Sequence, residues 1–101
     1  MIAQMAVDQT TYDVKQLAAA RALAGLGIRE LAARAGVTPR TLHRLEKSGT
    51  IHVSPKKRHG HVQRAVWERI IAALEEVGVD LLPQGASFGA GVRWKAPRER
   101  R

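Results

Sequence analysis

Across residues 31–46 the apolar and small side chains recur at three- and four-residue intervals on both sides of a single glycine. That pattern predicts two short helices joined by a tight turn. In the first half Leu31 and Ala35 share a helix face, and Ala32 is small enough for a neighbouring helix to approach closely. Gly36 stops this helix, because glycine adopts a left-handed C-terminal cap without a Cβ penalty. Thr38 restarts the chain as an N-cap, its hydroxyl accepting a free backbone N–H. Pro39 fills the first helical position, where its missing donor costs nothing. Val37, Leu42 and Leu45 are expected to turn inward, which leaves Pro39, Arg40, Thr41, His43, Arg44 and Lys47 on the outer surface. Ser48 and Gly49 close the helix.

The same patterning organises the rest of the chain. Residues 1–10 carry no usable periodicity and read as a loose arm. Thr11 is expected to cap a helix running to about Ala24, with Val14, Leu17, Ala18, Arg21 and Ala22 on its inner stripe and Gly25 and Gly27 ending it. Residues 49–61, with Ser54-Pro55 and Lys56-Lys57-Arg58, read as a linker. Over residues 62–77 a stripe of Val62, Val66, Ile70, Leu74 and Val77, widened by Trp67 and Ile71, predicts a helix broad enough to close a core. Gly78 caps it. Two apolar segments, 79–82 and 92–95, flank a turn-rich stretch and suggest a small β-hairpin spanning 79–96. Two strands are marginal alone, so this hairpin should lean on the helical body or pair with a second subunit. Residues 97–101 read as a disordered basic tail.

Charge adds a direction to this plan. At 101 residues the chain is one domain, long enough for a modest core and too short for most catalytic folds. Its net charge is +8, and between Arg29 and Arg69 ten Lys or Arg stand against three acids, Glu30, Glu46 and Glu68. A basic surface of this kind either keeps the chain in solution or meets a polyanion, whose condensed counterions it displaces. A helix of this size fits the DNA major groove, and a cationic helix face over a two-helix support favours the second reading. With no cysteine, disulfides and thiolate metal sites are excluded, which suits a reducing cytosol. No apolar run approaches the ~20 residues of a membrane span, and residues 1–7 lack the charged start and long apolar core of a secretory signal. A cytoplasmic protein is expected, without cofactor or membrane partner.

The run Leu-Ala-Ala-Arg-Ala-Gly-Val-Thr-Pro-Arg-Thr-Leu-His-Arg-Leu-Glu over 31–46 resembles the helix-turn-helix of the lambda Cro and repressor family of bacterial and phage regulators. The likeness reaches back to Leu17 and forward to Gly49, with Ala32, Gly36, Val37, Leu42 and Leu45 at family spacing. It implies a mainly α, lambda-repressor-like domain of four to five helices over 11–78, with the hairpin appended. It also implies that Arg21 pairs with Glu46, that Thr38 touches phosphate, that Arg40 and Arg44 face base edges, and that Thr41 and His43 are auxiliary contacts. Two positions depart from the family. Gly27 and Ile28 stand where Ser or Asn followed by Gln is common, and Pro39 replaces a residue that often reads a base.

Other patterns carry less. Gly85-Ala86-Ser87-Phe88-Gly89 matches the nucleophile elbow G-x-S-x-G in letters, but the strand, helix, acid and histidine on a large sheet that the motif needs are missing. His52, His59 and His61 share one linker, yet no cysteine or placed carboxylate completes a four-ligand zinc set; they read as loop histidines near a phosphate backbone. Lys56, Lys57 and Arg58, following the second helix of the pair, are placed for phosphate contact, as is Arg29 near the start of the first. Trp67 and Trp94 read as core or dimer-interface residues, since no aromatic ladder accompanies them.

The sequence thus points to a sequence-specific double-stranded DNA-binding regulator, a repressor acting as a homodimer on an inverted repeat. The dimer surface would be the 62–77 helix or the hairpin. The alternative is an antitoxin or other interaction protein, in which the arm or the hairpin and tail bind a toxin or another regulator. An enzyme is not expected, because no carboxylate pair, nucleophile with its base, or phosphate-binding glycine loop is present.

Overall fold

Helix and turn signals of this strength give short, well-bounded elements, and the computed structural model, which describes residues 11–82 and 89–96, contains nine of them. In chain order they are β1 (Thr11–Asp13), α1 (Val14–Ala24), α2 (Ile28–Ala35), α3 (Pro39–Glu46), β2 (Thr50–Ser54), β3 (Val62–Gln63), α4 (Arg64–Glu76), β4 (Val79–Leu82) and β5 (Gly91–Trp94). The domain is mainly helical, with two small sheets ordered β1-β2-β3 and β4-β5. The expected arm (1–10), the Ser87 segment (83–88) and the basic tail (97–101) lie outside the described residues. No helix among those described is long and apolar enough to cross a membrane.

The core draws its fully buried side chains from most elements: Leu17, Leu31, Leu42, Ile51, Ile70, Leu74 and Val79. Each helix therefore contributes one face, and α2 packs against both α3 and α4. Glycine makes the joints. Gly36, at φ +72°, ends α2, and the next amide, Val37 N–H, reaches back 3.0 Å to the Ala32 carbonyl. That closes the last turn and sends the chain directly into α3.

Four expectations need correction. Thr11 does not cap α1; Asp13 does, its Oδ1 accepting Lys15 N–H at 2.8 Å. Thr11–Asp13 is instead a strand, antiparallel to β2 with Thr11 opposite His52. This lets the Tyr12 ring sit 4.7 Å from that of Trp67. The inner face of α1 is Gln16, Leu17 and Ala20, while Ala22 is exposed and Val14 and Ala18 are half-buried. The stripe is rotated because polar Gln16 finds acceptors inside.

The supposed linker 49–61 contains β2, whose Ile51 and Val53 are buried while His52 between them is exposed. That is the period-two alternation of a half-buried strand. β2 also pairs in parallel with β3, Val53 opposite Val62. Val62 thus belongs to a strand, and α4 begins at Arg64 and ends at Glu76. Its buried face is Trp67, Ile70, Ala73 and Leu74, with Val66, Ile71 and Val77 half-buried at the margins. Small Ala73 replaces a bulkier residue at the centre because α4 packs on α2 and β4 together.

The β4 and β5 strands pair antiparallel, Val79 opposite Trp94 and Leu82 opposite Gly91. They do lean on the helical body. Gln16 Nε2, on buried α1, donates to the Leu82 carbonyl at 2.8 Å and the Gly91 carbonyl at 3.1 Å. One side chain thereby ties the far ends of both strands to a helix.

Candidate nucleic-acid interface

The arrangement of α3 follows from its first residues. Thr38 has the extended conformation of an N-cap and its Oγ1 accepts Thr41 N–H at 3.2 Å, with Pro39 at the first helical position. Leu42 is fully buried and Val37 and Leu45 half-buried, so the opposite face looks out. Pro39, Arg40, His43, Arg44 and Lys47 are exposed there. Thr41 departs from its expected place: it is half-buried, and its hydroxyl lies 3.0 Å from that of Thr38. The two threonines satisfy each other at the start of the helix.

The back of α3 is braced by a fork. Arg21 Nε and Nη2 meet the two carboxylate oxygens of Glu46 at 2.8 and 2.9 Å, and Nη1 donates to the Leu26 carbonyl at 3.2 Å. The bond to Glu46 raises the arginine pKa further, against the opposing effect of burial. Parallel N–H···O bonds of this kind fix orientation as well as distance. The last residue of α3 is thereby fastened to α1 and to the corner that leads into α2.

Arg29 is exposed in the first turn of α2. The Glu30 carboxylate accepts Gly27 N–H at 2.8 Å, so a side chain three residues ahead caps a start that glycine itself cannot. Lys56, Lys57, Arg58 and His59 are all exposed after β2, where the chain turns back through Gly60 at φ +79°. The turn is closed by His61 N–H to the Arg58 carbonyl at 3.0 Å.

The sequence-predicted cations fall into two groups. Arg44, Lys57 and Arg58 come together around a cavity of about 530 Å³ between the last turn of α3 and the β2–β3 connection. Arg29, Arg40, Lys47 and Lys56 do not line it. Among the described residues, none of these seven side chains is engaged in an ion pair. An unpaired guanidinium keeps its full capacity for a bidentate acceptor such as phosphate or a base edge.

The histidines prove more organised than a solvated loop. His52 projects from β2 and stacks on His61, ring centroids 5.1 Å apart, and His61 Nδ1 shares a 2.6 Å hydrogen bond with buried Ser54. Desolvation, with repulsion from Arg58 and His52, lowers the His61 pKa from its ordinary 6.5. The Ser54–His61 pair is invisible to periodicity, since Ser54 shares the outer face of β2 with His52 and meets His61 only because the chain returns there. Among the described residues no group of three or more His, Cys, Asp and Glu could hold a metal ion. Trp67 is buried in the core and Trp94 half-buried in β5. Compared with known proteins, the chain matches no family model and no curated protein.

Proposed function

We propose that this chain is a sequence-specific double-stranded DNA-binding regulator of the lambda Cro and repressor type, with α2 as the supporting helix and α3 as the recognition helix. The observation that carries the reading is the face of α3 bearing Arg40 and Arg44: exposed, cationic and, among the described residues, free of ion pairs, on a helix whose other side is locked by buried Leu42 and the Arg21–Glu46 fork. A rigid helix with that face fits the major groove, where arginine bonds guanine O6 and N7 in two-point fashion. Arg29, Lys47, Lys56, Lys57 and Arg58 would hold phosphates and set the register without reading sequence. Thr38 and His43 would add contacts beside them, and Pro39 an apolar one. Thr41, already bonded to Thr38, has less to offer.

One such helix reads only a few base pairs, so useful specificity calls for a homodimer with its two recognition helices about 34 Å apart on an inverted repeat. The half-buried apolar residues Ile71, Leu81, Val92 and Trp94, on α4 and the β4–β5 sheet, offer a surface for the second copy. Binding an operator that overlaps a promoter would make the protein a repressor by occlusion. The test is selection from a random duplex library with the full chain. An enriched inverted repeat with half-sites one helical turn apart supports the reading; retention of duplexes without any enriched sequence contradicts it.

A further inference from the structure

We propose that the cavity between the last turn of α3 and the β2–β3 connection is a binding pocket for a phosphoester, and that His61 in its wall takes up a proton as the pocket fills. Its volume, about 530 Å³, exceeds the needs of a bare phosphate and falls in the range of about 300–1,000 Å³ typical of ligand pockets. A phosphate with the sugar-sized group it esterifies fits within that space.

The lining chemistry agrees. Arg44, Lys57 and Arg58 supply three permanent positive charges, His52, His59 and His61 supply further donors, and among the described residues no carboxylate lines the cavity. A concave wall of one sign focuses its field inward and concentrates anions there. Ile51 and Val62 also line it, giving the non-polar edge of a sugar something to rest on.

The histidines make occupancy sensitive to pH. His61 is held by Ser54 and stacked on His52, and desolvation, with repulsion from Arg58 and His52, disfavours its protonation. The charged and titratable groups around it are Arg44 from α3, His52 from β2, and Lys57, Arg58 and His59 from the connection, all of them cationic or able to become so. An arriving anion offsets that repulsion and favours the protonated His61 imidazole, so ligand binding and proton binding reinforce each other. The phosphoester could be a segment of DNA backbone held by Lys57 and Arg58 while Arg44 beside them reads a base, in which case the pocket rests on the proposed function and deepens it, or a free phosphorylated solute that occupies Arg44 in competition with DNA.

Titration of the full chain by NMR, following the Gly60 amide and the His52 and His61 rings, tests this with two probes. Thymidine dinucleotide carries a diester of fixed charge and stands for backbone; ribose 5-phosphate stands for a phosphorylated solute. Saturable shifts confined to these residues are expected, weakened about tenfold or more when Lys57→Ala and Arg58→Ala remove two of the charges. The dinucleotide should bind about three- to tenfold tighter at pH 6 than at pH 8, and His61→Gln should flatten that difference. Tighter binding of the dinucleotide assigns the pocket to backbone, and tighter binding of ribose 5-phosphate assigns it to a solute. Absence of saturation with both probes, shifts that survive the double substitution, or a dinucleotide affinity independent of pH would each overturn the proposal. No duplex enters these titrations. A chain that selects duplexes yet fails here loses the pocket and keeps its function, and a chain that saturates here yet selects no duplex does the reverse.

Discussion

Two polar regions of this small domain treat their side chains in opposite ways. On α1, Arg21 is gripped by both oxygens of Glu46 and Gln16 by the carbonyls of Leu82 and Gly91. On the outer face of α3, Arg40 and Arg44 have no ion-pair partner among the described residues. Arginine is thus a structural clamp in one place and an unspent donor array in the other. What differs is whether the chain itself supplies the complementary acceptor. A guanidinium satisfied internally contributes to stability and is lost to ligands; one left in water contributes little to folding and keeps its binding capacity. The clamp also serves the free pair, since the Arg21–Glu46 fork holds the end of the helix that displays them.

Substitution separates the two arginine roles. Arg40→Glu together with Arg44→Glu should cost about 2–6 kcal/mol of duplex binding, from two specific contacts of about 1–3 kcal/mol each. Thermal stability should move by no more than about 0.5 kcal/mol, as for surface changes that touch nothing. Anisotropy and melting curves on the same samples check both halves. Arg21→Ala inverts the outcome. It leaves Glu46, whose side chain is only 13% exposed, without its charged partner. Stability should then fall by about 1.5–3 kcal/mol, visible as a lower denaturant midpoint at unchanged slope.

A smaller loss is expected for Gln16→Leu. Two carbonyls lose their donor, but Gln16 Oε1, buried with no partner among the described residues, is removed as well, and the net cost should be about 1 kcal/mol. Amide exchange in β4 and β5 should accelerate more than in α3. The smallest effect concerns pH. Because the folded state lowers the His61 pKa below its ordinary 6.5, the unfolded chain binds the proton more readily. The corresponding stability is fully present above that ordinary value and declines as pH falls through it. Melting midpoints should drop on acidification below about pH 6.5, and His61→Gln should remove part of that slope.

Much of this organisation could be read along the chain. Gly36, Thr38 and Pro39 mark a helix stop and a helix start within four residues, and the buried Leu31, Ala32, Ala35 and Leu42 follow from spacing alone. Local rules suffice because those elements are local. The first sheet was not legible for the opposite reason. β1 and β3 are too short to show alternation, and β2, which does alternate through Ile51, His52 and Val53, sits beside Ser54-Pro55 and a basic triplet that read as a loop. Its strands are defined by partners distant in sequence. Gln16 shows the same limit: a glutamine on a helix reads as a surface residue until two carbonyls contributed from 66 and 75 residues away are in place. The basic residues were legible as charges, but only the turn at Gly60 brings Lys57 and Arg58 round to Arg44.

The division of labour between helix and connection is the central claim, and equilibrium binding across a salt series tests it most directly. Arg44→Ala and Lys57→Ala would each be measured against the selected duplex and a scrambled one. Arg44→Ala should lose about 1–3 kcal/mol on the selected duplex and far less on the scrambled one. Lys57→Ala should weaken both alike and reduce the dependence of log affinity on log salt by about one unit. Equal losses on the two duplexes for both variants would contradict the account.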